Sequence, residues 1–411
     1  MQRHDMQPHE IETLRAATRG TSELIHFNNA GSSLPADNTV DTVIRYLQEE
    51  AIKGGYETEA RYAAELEYVY TLIARLINAR QNEIALVENA STAWHLAFNG
   101  IDFQPGDEVI TSEMEYVTNH LGFLNVKRTQ DIRLTVIPND AEGNFDLQAL
   151  GKAINPKTRL IAITHIPSAA GNILPIKEIG QIARRHNILY LVDACQSVGQ
   201  LPLDVEAIGC DMLAVTGRKY LRAPRGTGFV YIRKTAQDKL RPLFFDGHSV
   251  ASVSENGFTA LDTARRFELY EKNRALTLGL GAAVQQALDL GLDRIEKRIG
   301  YLAASLRNKL SAIPGVTVHD MGKHLCGIVT FTVAGIDAIK VKTALQEKNI
   351  NVSISRTAST PVYMNQHHLA VILRASVHYY NTDQEIDIFC TTLADIRPAP
   401  AAEPSFSARG R

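Results

Sequence analysis

Lys219 stands in the stretch Thr216-Gly217-Arg218-Lys219-Tyr220, directly after the apolar run Met212-Leu213-Ala214-Val215. A second apolar run, Ile188 to Val192, ends in Asp193, with Gln196 just beyond it and Lys219 26 residues past the aspartate. A primary amine condenses with an aldehyde to give a Schiff base, and a carboxylate at a strand end can hold a protonated pyridine nitrogen. Those are the two groups a protein must supply to run pyridoxal phosphate (PLP) chemistry. A third feature is Asn89-Ala90-Ser91-Thr92, between the apolar run Ile84–Val87 and a helical stretch. Backbone N–H groups and hydroxyls at a helix start suit a phosphate dianion, although the same residues also serve as an ordinary N-cap.

These residues need elements to hold them. From about His26 to Arg265, short apolar runs alternate with helical stretches. Strands are expected at Ile84–Val87, Glu108–Thr111, Leu134–Ile137, Leu160–Thr164, Ile188–Val192, Met212–Val215 and Gly228–Ile232. Helices are expected between them, at Asp41–Lys53, Ala93–Asn99, Asp146–Ala153 and Ile176–His186. That alternation predicts βαβ units and a mostly parallel α/β sheet, in which ligands gather at the carboxyl ends of the strands. Beyond Leu276 the pattern changes. A long helical stretch, Leu276–Ile313, breaks near Gly291. It leads to strands at Gly315–Val318, Gly327–Thr332, Val352–Ser355 and Ala375–Val377, with helices at Asp337–Lys348 and Asp383–Asp395. The expected organisation is an N-terminal helix and linker (1–25), a large domain (26–265), a small α+β domain (266–396) and a disordered tail (397–411).

Composition narrows the function. With 411 residues the chain exceeds one ordinary core. A formal net charge of −2 argues against a general binder of nucleic acid or anionic membrane. Cys195, Cys210, Cys326 and Cys390 are scattered, giving neither a disulfide framework nor a metal site. No apolar run approaches the length of a membrane span, and no apolar h-region lies near the N-terminus, so a cytoplasmic location is expected. A nicotinamide dinucleotide enzyme is disfavoured, because no G-x-G-x-x-G follows an early strand.

Thr216-Gly217-Arg218-Lys219, followed by Gly226-Thr227-Gly228, resembles the Ser/Thr-Gly-His/Arg-Lys motif and glycine segment of the class V aminotransferase family. That family comprises PLP enzymes of fold type I and includes cysteine desulfurases, selenocysteine lyases and C–S lyases. The resemblance covers roughly residues 26–396 and implies a fold type I architecture and a homodimer. It implies that Gln196 hydrogen-bonds the ring 3′-oxygen, and that Thr216 and Arg218 join Ala90, Ser91 and Thr92 at the phosphate. Tyr116, in Glu113-Met114-Glu115-Tyr116, takes the place of the family's ring-stacking aromatic, often a histidine. Arg374, in Arg374-Ala375-Ser376 followed by Tyr380-Asn381-Thr382, is similar to the family's carboxylate-binding arginine, and Asn29 and Arg356 are expected near the substrate.

Departures from the family pattern shape the functional expectation. Desulfurases carry a nucleophilic cysteine on a mobile loop; the corresponding stretch here, Ser355 to Tyr363, has none. Glu271 also stands where many relatives place a threonine that reaches the neighbouring subunit's phosphate. Gly54-Gly55-Tyr56-Glu57 resembles a stretch found in lyase and epimerase-like branches, such as hercynylcysteine sulfoxide lyases. The leading expectation is therefore β-elimination at a carbon–sulfur bond of a cysteine derivative. In it Lys219 carries the cofactor and moves the α-proton, Asp193 holds the ring nitrogen and Arg374 holds the substrate carboxylate. Transamination or epimerisation in amino-acid tailoring is the alternative, and a desulfurase is a weaker one. A non-catalytic relic of the fold is disfavoured by the presence of all three residues.

Overall fold

The computed structural model of the chain describes residues 6–396; the tail expected to be disordered, 397–411, lies outside the described residues. After a short first strand, β1 (Ile25–His26), the apolar runs between residues 84 and 232 become one sheet. Its strands are β2 (Ile84–Val87), β3 (Glu108–Ser112), β4 (Arg133–Ile137), β5 (Thr158–Thr164), β6 (Leu189–Asp193), β7 (Met212–Thr216) and β8 (Gly228–Ile232). They lie in the order β2-β8-β7-β6-β5-β3-β4. Only β8 runs antiparallel to its neighbours, β2 and β7; the remaining pairs are parallel.

Side-chain alternation explains why these runs are apolar throughout. Tyr190 and Val192 face one hydrophobic core with Ile161, Ile163, Leu213 and Val215. Leu189 and Leu191 face another with Leu160, Ala162, Met212 and Ala214. A sheet covered on both faces demands apolar residues at every position, not every second one. In β6 and β7 the polar residues, Asp193 and Thr216, accordingly stand at the strand ends.

β9 (Val250–Ser254) and β10 (Gly257–Ala260) form a separate antiparallel hairpin that is largely exposed. β11 (Val316–Val318), β12 (Ile328–Val333), β13 (Ile350–Asn351), β14 (Ser353–Arg356) and β15 (Val371–Ser376) follow. Four of them build an antiparallel sheet in the order β11-β12-β15-β14. β13 pairs instead with β1, in parallel. The N-terminal segment, expected as a linker, thus ends in a strand paired outside the four-stranded sheet, and an isolated bridge from Asn28 to Ser376 joins the chain just beyond it to β15. Arg15 adds an ion pair to Glu385 at 2.7 Å and a hydrogen bond to the Tyr380 carbonyl at 2.9 Å.

Between the two sheets run helices Arg274–Leu290 and Leu292–Ser311, bent by 82° at Gly291. Gly291 has φ +83, a backbone angle that residues with a Cβ adopt only with strain. The first helix packs Ala275 and Leu278 against Tyr46 of helix Asp37–Lys53, alongside the large sheet's own helices. The boundary expected at residue 265/266 therefore falls before a helix that packs against helices of the large layer, and the turn toward the small sheet comes at Gly291. No single helix among the described residues is long and apolar enough to cross a membrane.

Candidate active site

The loops that follow β2, β3, β5, β6 and β7 converge on one cavity of about 140 Å³. Its wall brings together Ser91, Tyr116, Asp193, Thr216, Arg218 and Lys219, all named from sequence, with Asn89 and Ala90 beside them. Thr118, Asn119, Thr164, Ser168 and Cys195 complete it. This is where parallel α/β sheets place ligands, because the strands' polar ends and helix N-termini meet there.

Lys219 is carried by a tight loop after β7. A Cβ added at Gly217 would lie 2.2 Å from the Thr227 hydroxyl oxygen and 2.9 Å from the Ala223 Cβ, so only glycine lets the two sides of the loop approach. Backbone bonds close that approach: the Gly217 N–H donates to the Thr227 carbonyl, and the Ala223 N–H donates to the Gly217 carbonyl, each at 2.9 Å. Arg222 locks the loop from behind. It has φ +61, is 2% exposed, and donates to the Thr18 hydroxyl (2.7 Å), the Tyr379 hydroxyl (2.5 Å) and the Leu34 carbonyl (2.8 Å). The Lys219 amine points into the cavity, with Nζ 5.9 Å from the Tyr116 ring centroid. Burial lowers its pKa from the usual lysine value, while Cys195 and Asp193 pull the other way and Arg218 and Arg374 add to the lowering. A lowered pKa raises the fraction of neutral, nucleophilic amine.

Asp193, at the end of β6, is buried, and both its oxygens are held. Oδ1 accepts the Cys195 N–H at 2.9 Å, and Oδ2 accepts the Asn119 side-chain amide at 2.9 Å. Cys195 lines the cavity, but burial and the neighbouring Asp193 charge hold its thiol pKa well above the ordinary value. It is therefore a thiol at neutral pH, not a nucleophilic thiolate.

At the opposite end, Asn89 caps helix Ala90–Asn99, its Oδ1 accepting the Thr92 N–H at 2.9 Å. The first N–H groups of a helix have no intrahelical partner and carry the positive end of its dipole. Arg374, on β15, is buried and lies off the cavity wall, behind Ser168, which does line it. Its Nε donates to the Ser353 hydroxyl at 2.9 Å and its Nη1 to the Ser168 carbonyl at 2.7 Å. Burial lowers its pKa to about 10, which still leaves it a cation at neutral pH.

Besides Arg374, four residues expected at the site lie off the cavity wall. Thr92 does not line the cavity: its hydroxyl turns back to Asn89 Oδ1 at 3.4 Å, because the N-cap side chain draws it in. Asn29 is fully buried, and its amide is engaged by the Ser376 carbonyl (2.7 Å), the His26 carbonyl (3.0 Å) and the Tyr380 hydroxyl (2.5 Å). It joins the N-terminal segment to β15 and has no amide group left for a substrate. Arg356 is exposed at the end of β14, outside the cavity wall. Gln196 sits behind the wall and donates to the Ala30 carbonyl at 3.0 Å, leaving its Oε1 buried without a partner.

Sequence reading missed Asn119, Thr164 and Ser168. Thr164 ends β5 and Ser168 lies in the loop after it, so the strand-end rule alone would have found them. Asn119 lies in the first turn of helix Val117–Gln130, with no signal beyond its nearness to Tyr116.

The residues present fit PLP. Unpaired helix N–H groups, the Ser91 and Thr216 hydroxyls and the Arg218 guanidinium suit the phosphate. The Asp193 carboxylate suits the ring nitrogen, the Tyr116 ring suits the pyridine face, and the Lys219 amine suits the aldehyde. A buried hydroxyl without a partner, Ser168 Oγ, adds an unsatisfied polar atom to the same wall.

Comparison with known proteins points the same way. Residues 25–389 match the family model described as aminotransferase class-V. A probable cysteine desulfurase of Methanothermobacter thermautotrophicus is 34% identical over 347 residues, covering 84% of this chain and 86% of the relative. A probable cysteine desulfurase of Synechocystis sp. is 30% identical, covering 90% of each chain. The apo structure of a cysteine desulfurase from Thermococcus onnurineus superposes with a TM-score of 0.88 at 27% identity, covering 95% of this chain and 98% of that one. C-DES, solved as a lysine mutant with glycine covalently linked to its PLP cofactor, shares the fold, with a TM-score of 0.85 at 23% identity over 93% of this chain and 99% of that one.

Proposed function

We infer the reaction from a plain premise: this chain belongs to the aminotransferase class V family and is a PLP-dependent enzyme of fold type I. Within that family, we propose that it cleaves the carbon–sulfur bond of a cysteine derivative by β-elimination. The observation that carries this reading is the state of its cysteines. None lies on the loop from Arg356 to Tyr363. Cys195, which does line the cavity, is kept protonated by burial and by Asp193. Cys210 and Cys326 are buried, and Cys390 is half-buried away from the cavity wall. Sulfur released at this site thus has no enzyme thiolate to receive it.

When bound, PLP supplies an electron sink for negative charge developing at the substrate α-carbon. The chain's own residues do the rest. Arg374, fixed by Ser353 and Ser168, offers its remaining N–H groups to the α-carboxylate and so orients the α-proton. The Lys219 amine, its basicity lowered by burial, takes that proton. Asp193, held on both oxygens, keeps a positive charge fixed at the ring nitrogen. The Cβ–S bond then breaks with its electron pair leaving on sulfur. The organic product hydrolyses to pyruvate and ammonia, and the sulfur departs as a thiol or persulfide.

Incubating the holoenzyme with cysteine S-conjugates should yield pyruvate and thiol in equal amounts, and with cystine, pyruvate and cysteine persulfide in equal amounts. The relatives named as probable cysteine desulfurases favour a second reading, sulfur abstraction from free cysteine. Alanine in place of pyruvate, with sulfur passed to an external thiol, would establish that reading and overturn elimination.

The enzyme works, in this reading, as a homodimer. Phe244, Phe245, Val253 and Phe258 are all exposed around the β9–β10 hairpin, and the Phe245 and Phe258 rings lie 4.7 Å apart. Exposed apolar side chains gathered in this region suit a partner surface. Sedimentation showing a monomer at micromolar concentration would contradict the dimer.

A further inference from the structure

A second carboxylate lies behind the one that faces the cavity. Glu115 follows β3 and is 2% exposed. Its Oε1 accepts the Asn119 amide at 2.7 Å, the Tyr116 N–H at 2.9 Å and the Thr164 hydroxyl. Its Oε2 accepts the Thr111 hydroxyl at 3.0 Å and the Thr164 N–H at 3.2 Å. No cation touches it among the described residues. Asn119 divides its amide between the two acids: the same Nδ2 donates to Glu115 at 2.7 Å and to Asp193 at 2.9 Å. One NH₂ group therefore spans two carboxylates.

The groups facing Glu115 from the surrounding elements are otherwise uncharged: Thr111 from β3, Thr164 from β5, and Asn119 and the Tyr116 N–H from helix Val117–Gln130 and its cap. Asp193, from β6, is the charged neighbour whose effect on it is largest. Burial raises the Glu115 pKa to about 7, with the Asp193 charge adding to the rise. Ordinary pH thus spans both its protonation states.

We propose that Glu115 is a positioning residue that acts through Asn119 on Asp193 and sets how firmly Asp193 holds the protonated ring nitrogen of bound PLP. Two like charges joined by one amide repel each other, and a cation on the outer side of Asp193 relieves that repulsion. Ionised Glu115 therefore tightens the hold on a pyridinium, and neutral Glu115 loosens it. The inference holds whichever reaction the enzyme performs, and its test needs no substrate.

Apoprotein is reconstituted with PLP carrying ¹⁵N in the ring, and the ring-nitrogen chemical shift is followed against pH in wild type, Glu115→Gln and Glu115→Asp. Glu115→Gln should release the ring proton about one pH unit below wild type, a tenfold change in that equilibrium. It should also bind PLP about tenfold more weakly, since one unit of linked pKa is one decade of affinity. Glu115→Asp, which keeps the charge, should recover most of both. Identical ring titration and PLP affinity in wild type and a folded Glu115→Gln overturn the proposal. If thermal melts show Glu115→Gln unfolded, Thr164→Val replaces it. Removing the hydroxyl donor favours neutral Glu115, so the same downward shift is expected and its absence is equally fatal.

Discussion

The Lys219 amine lies 5.9 Å from the Tyr116 ring centroid, although the two residues follow β7 and β3, which are separated in the sheet by β6 and β5. Strands so arranged start about 14 Å apart at the usual spacing of neighbours. Both loops must lean inward over the ends of the intervening strands, and Asp193 and Thr164 are the residues they lean over. Tyr116 serves as the N-cap of helix Val117–Gln130, which fixes its backbone while its ring faces the amine.

A ring facing an amine across a cavity is suited to stack on a planar cofactor, and the hydroxyl is not needed for that. Tyr116→Phe should keep PLP affinity within about twofold of wild type. Tyr116→Ala should lose about 1 kcal/mol, or roughly fivefold, the usual worth of an aromatic stack. Absorbance titration of the apoproteins with PLP checks both. Equal affinity in Tyr116→Ala would remove the ring from the cofactor's contacts.

Arg374 allows a sharper separation of roles. Two of its N–H groups are spent on Ser353 and Ser168, which orient the guanidinium plane. Arg374→Lys keeps a cation but loses the fork. Its kcat/KM should fall about 10- to 100-fold, in line with about 1.5–3 kcal/mol for charge-assisted hydrogen bonds. PLP affinity should change little. Steady-state kinetics and a PLP titration on one preparation distinguish a substrate anchor from a general support of the site.

The large sheet was legible because it is buried on both faces. Leu189, Tyr190, Leu191 and Val192 must all be apolar when each side meets a core, and such runs stand out. The β9–β10 hairpin was not, since Val250 to Ala260 is mostly exposed and no core imposes a pattern on it. Lys219 and Asp193 were singled out by residue type and place after a strand, Tyr116 by the family resemblance, and the fold brings all three to one cavity. Asn29 was misread because the partners that consume its amide, Ser376 and Tyr380, lie some 350 residues away in sequence. Glu115 was visible only as a letter beside Tyr116. Its depth and its link to Asp193 exist only once β3, β5 and β6 are side by side.

Arg222 ties the lysine loop to the rest of the molecule, a role that residue type alone did not announce. Its guanidinium carbon lies 4.6 Å from the Tyr380 ring centroid, and its N–H groups hold Thr18, Leu34 and Tyr379. Arg222→Met keeps much of the bulk but strands those oxygens. The loss of stability should be about 3 kcal/mol, from unsatisfied buried groups and the lost cation–π contact. Urea unfolding of the apoprotein checks it. Hydrogen exchange should then show the Lys219–Arg222 turn opening more often than the strands around it.

Buried histidines make the fold sensitive to acid, and His165 is the clearest case. It follows β5, its N–H donates to the Asp193 carbonyl at 2.9 Å, and its Nδ1 is buried without a partner. Burial lowers its pKa from 6.5 to about 3. The folded form thus binds its proton far more weakly than the unfolded chain does. Above the unfolded value neither state is protonated and no penalty exists. As pH falls through 6.5 the unfolded chain takes up a proton that the folded protein refuses, and stability drops until the folded pKa is reached. Between pH 7 and pH 5 that amounts to about 2 kcal/mol from this one residue. His165→Gln removes the titrating group with a small change in volume. Its urea midpoint should therefore fall less than that of wild type over the same interval, by about that amount of free energy. Parallel pH profiles for the two proteins would mean that His165 accepts its proton in the folded state, and that burial does not keep this imidazole neutral.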